Sequence, residues 1–464
     1  MAPRSRLHLA DLATPRISLG ITGFARAGKT VFIGALAQAL LTADHWRRQR
    51  GQGPLAGFGP FEQGRLRSAR IRDDIHATLP QFPFRRVRDA LCGQSSHWPE
   101  PTEGLSRLVL ELDIEPSGRV ARWLDRRHLA TSRLQLELID YPGEWLIDLP
   151  MLTQEYDDWS ADMIRRSRLP HRAPLAERFH RMLDDLAPQG EADEEVLGQL
   201  ADAWSEHLAR AAAAGLTFNQ PGRMLRPDNL RDSPVLRFAP LPVERGGAAL
   251  RQAMKARYDL YRREVIRPFY RDHFARIDRQ LVLVDVLRAL QRGQPVFDEI
   301  TEALGQTLES FRYGKGSLLS RIAGARTTRV LFAATKADHV TRGDRANLEN
   351  MLRWMTAMAD DRNRVRAGAA AVSVTTLASL RATEDYLTEQ PPRREILRGR
   401  RADDPEPALW DPGGLPLDMP PDWPNLHFEF LDFAPPPAPR GPIEGFPALN
   451  LGKVLDFLIS ERPD

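Results

Sequence analysis

The chain has 464 residues, and its 65 Lys and Arg side chains nearly balance 62 Asp and Glu side chains, leaving a formal charge of +3. This balance excludes a strongly basic nucleic-acid binder, so no nucleic-acid partner is expected. Cys92 is the only cysteine, which excludes an intrachain disulfide and a Cys-rich zinc site and fits a reducing compartment.

The first predicted elements are a strand at 17–22 and a helix at 30–41, separated by a glycine-bearing turn. Residues 45–102 are rich in Arg, Gly and Pro and lack a regular apolar pattern. They are predicted as a long loop region with one weak helix from 62 to 79.

A strand pair and a helical segment come next. Apolar runs at 107–114 and 132–140, the second strictly alternating, predict two antiparallel strands. The pattern of residues 151–278 predicts a polar helical segment without a phosphate or metal signature. The helical pattern is clearest at 192–214 and 248–277. The charge along this segment is typical of a solvated face.

The following region alternates apolar strands with helices. The strands are predicted at 281–287, 329–335 and 369–374, and the helices at 296–312 and 345–359. Continuous apolar strands separated by helices predict an α/β fold, with a mostly parallel sheet covered on both faces.

The C-terminal part is rich in proline from 390 to 447. It is predicted as extended chain that wraps the domain, with one strand at 426–431. An amphipathic helix at 449–459 closes the chain.

The sharpest motif is Gly23-Phe-Ala-Arg-Ala-Gly-Lys-Thr30, a complete G-x-x-x-x-G-K-[ST] pattern between the first strand and the first helix. In such a loop, backbone N–H groups point at phosphate oxygens, the lysine reaches the β and γ phosphates, and the threonine hydroxyl ligates Mg²⁺. Only five of the 65 basic residues are lysines, so chance is a poor explanation for the match. The predicted phosphate-binding residues are Gly23, Arg26, Ala27, Gly28, Lys29, Thr30 and Val31.

A second motif starts at Asp140, at the end of the alternating strand, and forms an Asp-x-x-Gly pattern with Gly143. In phosphate-loop enzymes an aspartate at this place holds Mg²⁺ directly or through water, and the glycine N–H contacts the γ-phosphate. We therefore predict that Asp140 is a metal ligand and that Gly143 senses the γ-phosphate. An ordinary turn after a strand is the alternative.

The third motif, Thr335-Lys-Ala-Asp-His339, again follows an apolar strand directly. A carboxylate at Asp338 accepts the N1–H and the N2 amino hydrogens of guanine, a donor pattern that adenine does not offer. The motif predicts guanine recognition by Lys336, Asp338 and His339. Its usual form begins with Asn, whereas Thr335 keeps a hydroxyl and loses the amide. A helix N-cap by Asp338 is the alternative.

These three motifs in this order resemble those of the Ras-like GTPases, and more closely those of the YcjX-like family of bacterial stress-associated GTP-binding proteins. The resemblance implies a Ras-like phosphate-loop NTPase core, a GTP-binding domain made of 15–150 and 279–389. It also implies a helical insertion, placed at 151–278. The composition adds a proline-rich C-terminal extension at 390–464 with a terminal strand and helix. The implied function is binding of GTP or GDP, slow Mg²⁺-dependent hydrolysis and a role linked to envelope stress.

The resemblance also carries roles to single residues. Thr102 takes the place of a mobile threonine that completes the Mg²⁺ shell, with an unliganded loop threonine as the alternative. Glu144 stands where many relatives have the glutamine that positions the attacking water. Arg26 matches an arginine finger supplied in cis, or else points into solvent. Trp98 either stacks on the nucleotide or belongs to a satellite core.

Three functions stay open at this point. The first is a GTPase switch, in which Lys29, Arg26, Gly143, Glu144 and Thr102 take part in turnover. The second is an ATP-dependent motor or kinase that uses the same phosphate loop, and the third is an interaction scaffold without turnover.

The sequence carries weaker signals for the location of the protein and for its partners. The absence of a run of about 18 apolar residues predicts a cytoplasmic protein. The helical insertion is large enough to bind a protein partner. Its arginines also leave open a peripheral position at the inner face of the cytoplasmic membrane.

Overall fold

The computed structural model describes residues 14–460, apart from 25, 49–52, 73–78, 93–95, 101–103, 117–132, 188–192, 232, 313–326, 364–370, 403, 405, 418–422, 424–427 and 437–445. Thr102 lies outside the described residues, so its role stays a prediction. The described residues form ten strands, which are β1 Arg16–Gly23, β2 Leu66–Ile71, β3 Ser106–Ile114, β4 Arg133–Asp140, β5 Arg279–Val284, β6 Arg329–Ala334, β7 Ala371–Thr376, β8 Thr383–Leu387, β9 Glu395–Arg400 and β10 Pro407–Trp410.

Seven of these strands form one sheet in the order β2-β3-β4-β1-β5-β6-β7. Five neighbouring strands, β4, β1, β5, β6 and β7, pair in parallel. Strands β2 and β3 pair antiparallel with each other, and β3 pairs antiparallel with β4. The central strands β5 and β6 are continuous apolar runs and are buried on both faces of the sheet. The predicted α/β class and mostly parallel sheet are confirmed, and the architecture is that of a Ras-like phosphate-loop core.

Helices cover both faces of this sheet. The α-helices of the described residues are α1 Lys29–Leu41, α2 Ala43–Arg48, α3 Gly59–Glu62, α4 Phe84–Cys92, α5 Tyr156–Ser167, α6 Glu177–Asp185, α7 Glu194–Ala213, α8 Gly222–Leu225, α9 Gly247–Tyr261, α10 Arg267–Asp272, α11 Val286–Arg292, α12 Gln294–Arg312, α13 Arg345–Asn363 and α14 Leu451–Ile459. A π-helical turn, Arg262–Ile266, joins α9 to α10. Short 3₁₀ turns are Gly143–Trp145, Leu149–Leu152, Ala173–Leu175, Asp228–Leu230, Pro234–Leu236, Phe274–Arg276 and Arg342–Asp344.

The alternation of side chains along β5 divides the core between the two faces. Leu281 and Leu283 join a cluster that includes residues of α1, α4 and the C-terminal α14. Val282 and Val284 join the other cluster, which includes residues of α5, α7, α9, α12 and α13. The helices of 151–278 therefore share a continuous apolar core with one face of the sheet, and apolar burial holds them there.

Polar contacts fix the same helices to the core. Arg172 is buried and its guanidinium makes two bonds to the Glu299 carboxylate of α12, at 2.6 and 2.7 Å. Further donors to that carboxylate are the backbone N–H groups of Thr217 and Phe218. The pKa of Glu299 is lowered; burial opposes this shift, and the hydrogen bond from Arg172 is the largest of the lowering effects. A buried charge is tolerated here because it is fully paired.

The edge of the sheet corrects the prediction for 62–79. Residues Leu66–Ile71 form strand β2 rather than a helix, and they pair antiparallel with β3. Ion pairs link Arg70 to Glu111 and Arg67 to Asp113 across the two strands. Tertiary pairing thus decides the local structure where the sequence alone has a weak helical pattern.

The C-terminal region also differs from its prediction. Strands β8, β9 and β10 form a separate three-stranded antiparallel sheet. The strand predicted at 426–431 is not formed in its described part, 428–431; Phe433 makes only an isolated bridge with Arg401. The predicted closing helix is α14. The division at 150, 279 and 390, and the proline-rich extension as a wrap, stay predictions.

The described helices include none that is both long enough and apolar enough to cross a membrane.

Candidate functional site

The phosphate loop connects β1 to α1 at the carboxyl edge of the parallel strands. It turns sharply because Arg26 and Gly28 have positive φ values of 65° and 87°. Glycine adopts this conformation at no steric cost, whereas an arginine is strained in it. Lys29 Nζ donates to the Gly23 carbonyl at 2.7 Å, which holds the ammonium against the loop. This conformation is compatible with the backbone anion cradle that the motif predicts.

The Asp140–Gly143 turn packs directly against this loop. Asp140 ends β4, is buried, and lies in register with Ile21 of β1. A Cβ on Gly143 would lie 2.8 Å from the Gly23 carbonyl oxygen and 3.1 Å from the Phe24 nitrogen. Only glycine fits at that distance, so the turn and the phosphate loop are in backbone contact.

The chemistry of the predicted metal ligands fits Mg²⁺. Thr30 and Asp140, both buried, offer a hydroxyl and a carboxylate oxygen, the hard donors that Mg²⁺ prefers. Nowhere in the described part of the chain do three His, Cys, Asp or Glu residues cluster as a cation cage. The donor set suits an ion that is shared with phosphate oxygens and water.

The segment after the turn is buried from Tyr141 to Leu149. The Arg223 guanidinium lies 3.2 Å from the centroid of the Trp145 ring, and a Cβ on Gly222 would lie 2.0 Å from the Glu144 carbonyl oxygen. This stretch is therefore the contact surface between the sheet and the α7–α9 region. It is not an exposed loop.

Asp148 is the polar centre of that contact. Its carboxylate accepts from the Gly222 N–H at 2.7 Å and from the Tyr261 hydroxyl at 2.6 Å. Burial raises the pKa of Asp148 to about 7, although both hydrogen bonds act in the opposite direction. Neither partner is near Asp148 in the sequence, and sequence analysis missed the cluster.

This pKa predicts a pH-dependent stability that Asp148→Asn should remove. The pKa of Asp148 in the folded chain lies above its unfolded value of about 3.9. Its contribution to the free energy of unfolding is therefore complete below a pH of about 4 and is lost as the pH rises toward about 7. The amide keeps an acceptor for Gly222 and a polar contact with Tyr261. Above neutral pH, Asp148→Asn should melt several degrees higher than the unmodified chain.

Calorimetry measures Tm of Asp148→Asn and of the unmodified chain from about pH 5 to about pH 9, and the difference between the two Tm values is compared across this range. The control is Asp158→Asn, which changes an exposed carboxylate in α5. Parallel Tm curves for Asp148→Asn and the unmodified chain would contradict a raised pKa at Asp148.

The third motif follows β6. Asp338 is buried, and its Oδ2 accepts from the Ala382 N–H at 2.6 Å. Within the described residues Oδ1 of Asp338 has no hydrogen-bond partner, so one acceptor oxygen is available. Helix α13 begins only at Arg345, and the bond to Ala382 joins Asp338 to the next segment of the chain instead of capping a helix.

Lys336 has an acidic partner that sequence analysis did not identify. Its Nζ lies 2.7 Å from Asp285 Oδ2, and Asp285 also accepts from the Arg288 N–H as the N-cap of α11. The predicted strand continued through 287, whereas β5 ends at Val284. An aspartate directly after a buried apolar strand was the available signal.

His339 and Trp98 lie beside a C-terminal segment. The His339 ring makes an edge contact with Phe433, at 5.2 Å between centroids, and burial lowers the pKa of His339. The Trp98 Nε1–H donates to the Phe433 carbonyl at 2.8 Å, and the indole is 38% exposed. Phe433 therefore brings the two predicted residues to one region. Their contact with a nucleotide stays a prediction.

Arg26 and Glu144 line one cavity of about 170 Å³ beside the phosphate loop. Arg26 is exposed and Glu144 is buried. Ala27 is buried and Val31 is half-buried at the start of α1. The roles of all four stay predictions.

Comparison with known proteins gives a consistent result. A family model described as "YcjX-like family, DUF463" matches residues 17–462. A protein of Escherichia coli K12 named "Ras-like GTPase YcjX" is 33% identical over 464 aligned residues, which cover 96% of this chain and 96% of that protein. A protein of the same name from Shewanella oneidensis is 33% identical over 484 residues, covering 99% of this chain and 97% of that protein.

Proposed function

Because this chain belongs to the YcjX-like family, we propose that it binds GTP and GDP, hydrolyses GTP slowly with Mg²⁺, and acts as a nucleotide-dependent switch. One observation carries the proposal. The phosphate loop, the Asp140–Gly143 turn and Asp338, with its available Oδ1, follow the parallel-paired strands β1, β4 and β6 at one edge of the sheet. Ligands of open α/β sheets bind at this carboxyl edge.

The phosphates would lie on the loop between β1 and α1. Its backbone N–H groups and the start of α1 attract anions, and Lys29 adds a compact charge that fits between phosphate and loop. Thr30 and Asp140 would hold Mg²⁺, which supplies positive charge to the β- and γ-phosphate oxygens. Gly143, in contact with the loop, would bind the γ-phosphate through its N–H.

Slow turnover follows from the charges near the γ-phosphate. Glu144 has a carboxylate where many Ras-like proteins have a neutral glutamine, and a buried carboxylate repels a phosphate. Arg26 lies on the rim of the same cavity and would offset the charge that develops on the leaving phosphate. We expect hydrolysis without an activator to be far slower than in an efficient enzyme.

A switch function rests on the buried segment after Gly143. Any shift of that glycine with the γ-phosphate moves Glu144 and Trp145, which contact Gly222 and Arg223. Nucleotide state would therefore change the position of the helical region 151–278 and the surface that it offers to a protein partner. The roles in stress response and at the membrane surface rest on the family resemblance and the arginine content alone.

The first test is a thermal-shift comparison of GTP, GDP, ATP and ADP, each with Mg²⁺. A ligand that binds the folded chain raises Tm by mass action. We expect GTP and GDP to raise Tm by several degrees, with ATP and ADP close to buffer. Stabilisation by ATP and ADP alone would favour the ATP-dependent enzyme.

The second test is phosphate release in a single turnover, with the protein in excess over GTP. We expect slow release that requires Mg²⁺ and is lost when EDTA is added. Tight GTP binding without any phosphate release would favour the scaffold that binds nucleotide without turnover.

A further inference from the structure

The cavity of about 170 Å³ beside the phosphate loop has an unusual charge distribution. Its walls come from the phosphate loop, the end of β5, α11, and the segment between α7 and α8. Three guanidiniums belong to the lining, from Arg26, Arg288 and Arg292. The lining carboxylates are Glu144 and Asp285.

In the part of the chain that the structure describes, the side chains of Arg26, Arg288 and Arg292 form no ion pair and no hydrogen bond. This contrasts with Arg172, which is fully paired inside the protein. Asp285 offsets only part of this positive charge, because its carboxylate is also paired with Lys336.

The arrangement of α11 adds to the repulsion. Arg288 and Arg292 are four residues apart on one helix face, where like charges repel each other and destabilise the helix. The pKa of Arg288 is lowered, first by burial and then by the positive charge of Arg26, with Asp285 and Asp432 acting in the opposite direction. A bound anion would relieve this repulsion.

We propose that this cavity is a phosphate-group subsite next to the nucleotide site, with Arg288 and Arg292 as its ligands. The proposal rests on the proposed nucleotide function, because the cavity shares Phe24, Arg26 and Ala27 with the phosphate loop. Its volume is enough for one tetrahedral oxyanion. Guanidinium forks match phosphate oxygens in geometry and charge.

The phosphate group has two possible sources, the terminal phosphate of GTP and free inorganic phosphate. The test uses Arg288→Gln and Arg288→Gln/Arg292→Gln in the full chain, with Arg237→Gln as control, an exposed arginine of the helical region. Calorimetry measures the affinity for GDP, for a non-hydrolysable GTP analogue, and for inorganic phosphate added to the GDP-bound protein.

If the subsite holds the terminal phosphate, the variants should bind the GTP analogue about tenfold or more weakly, with GDP affinity unchanged. If it holds free phosphate, both nucleotide affinities should persist while phosphate affinity falls by the same factor. Three affinities equal to those of Arg237→Gln would overturn the proposal.

A further titration distinguishes failure of the phosphate subsite from failure of the proposed nucleotide binding. If the unmodified chain binds neither GDP nor the GTP analogue, phosphate is titrated into the nucleotide-free protein. Phosphate binding that is lost in the double variant would support the subsite, and absence of phosphate binding to the unmodified chain would overturn it.

Discussion

Lys29→Ala should reduce the affinity for GTP and GDP by about a hundredfold or more, to a level that calorimetry does not detect. The Lys29 ammonium lies 2.7 Å from the Gly23 carbonyl, so it is already placed between the loop and the expected phosphates. Removing one partner of a desolvated charge pair costs about 3–5 kcal/mol, because the phosphate charge is left without compensation. The fold should remain, since Lys29 is only half-buried.

The matched control is Lys255→Ala, which removes an exposed lysine on α9. This variant should bind both nucleotides like the unmodified chain. Both variants are compared by circular dichroism and by Tm without nucleotide, so that loss of binding is not confused with unfolding. Tight GDP binding by a folded Lys29→Ala protein would contradict the assignment of the phosphate loop.

The parallel strands are predictable because their signal is local. Apolar runs such as that of β6 are buried on both faces and carry their assignment in six consecutive residues. Strand β2 has no such signal. It has arginines at 67 and 70 among small or apolar residues, and its pairing depends on acidic residues of β3 about 40 positions later.

The same distinction applies to the site. The loop from Gly23 to Thr30 is recognisable because its function depends on the backbone of consecutive residues. The partners of the motifs are not recognisable in this way. Asp285 meets Lys336, and Gly222 and Tyr261 meet Asp148, only because the sheet and the helical region bring distant segments together.

The contact between Asp148 and Gly222 also alters the meaning of the second motif. From the sequence, Asp140 to Gly143 is a turn that follows a strand. In the structure, this turn contacts the phosphate loop on one side, and the residues after it contact α8 and α9 on the other. A change at the phosphates would therefore act on the helical region through packed backbone, without a flexible link.

Asp338→Asn should shift the base preference from guanine to xanthine. One carboxylate oxygen of Asp338 already accepts the Ala382 N–H, and an asparagine oxygen can keep that bond. The asparagine NH₂ group would then replace Oδ1, the oxygen that is available to the base. Guanine presents its N2 amino group there, so two donors face each other, whereas xanthine presents an acceptor oxygen.

The expected loss for GTP is about a hundredfold or more, since a site built for a hydrogen bond rejects a ligand that leaves it unpaired. Affinity for XTP should rise by a similar factor, and Tm without nucleotide should change little. Calorimetric titration of GTP, XTP and ATP into Asp338→Asn measures the shift, with Asp158→Asn as control for the loss of one negative charge. Unchanged GTP affinity in Asp338→Asn would show that Asp338 does not bind the base, because this variant has no acceptor in the place of Oδ1.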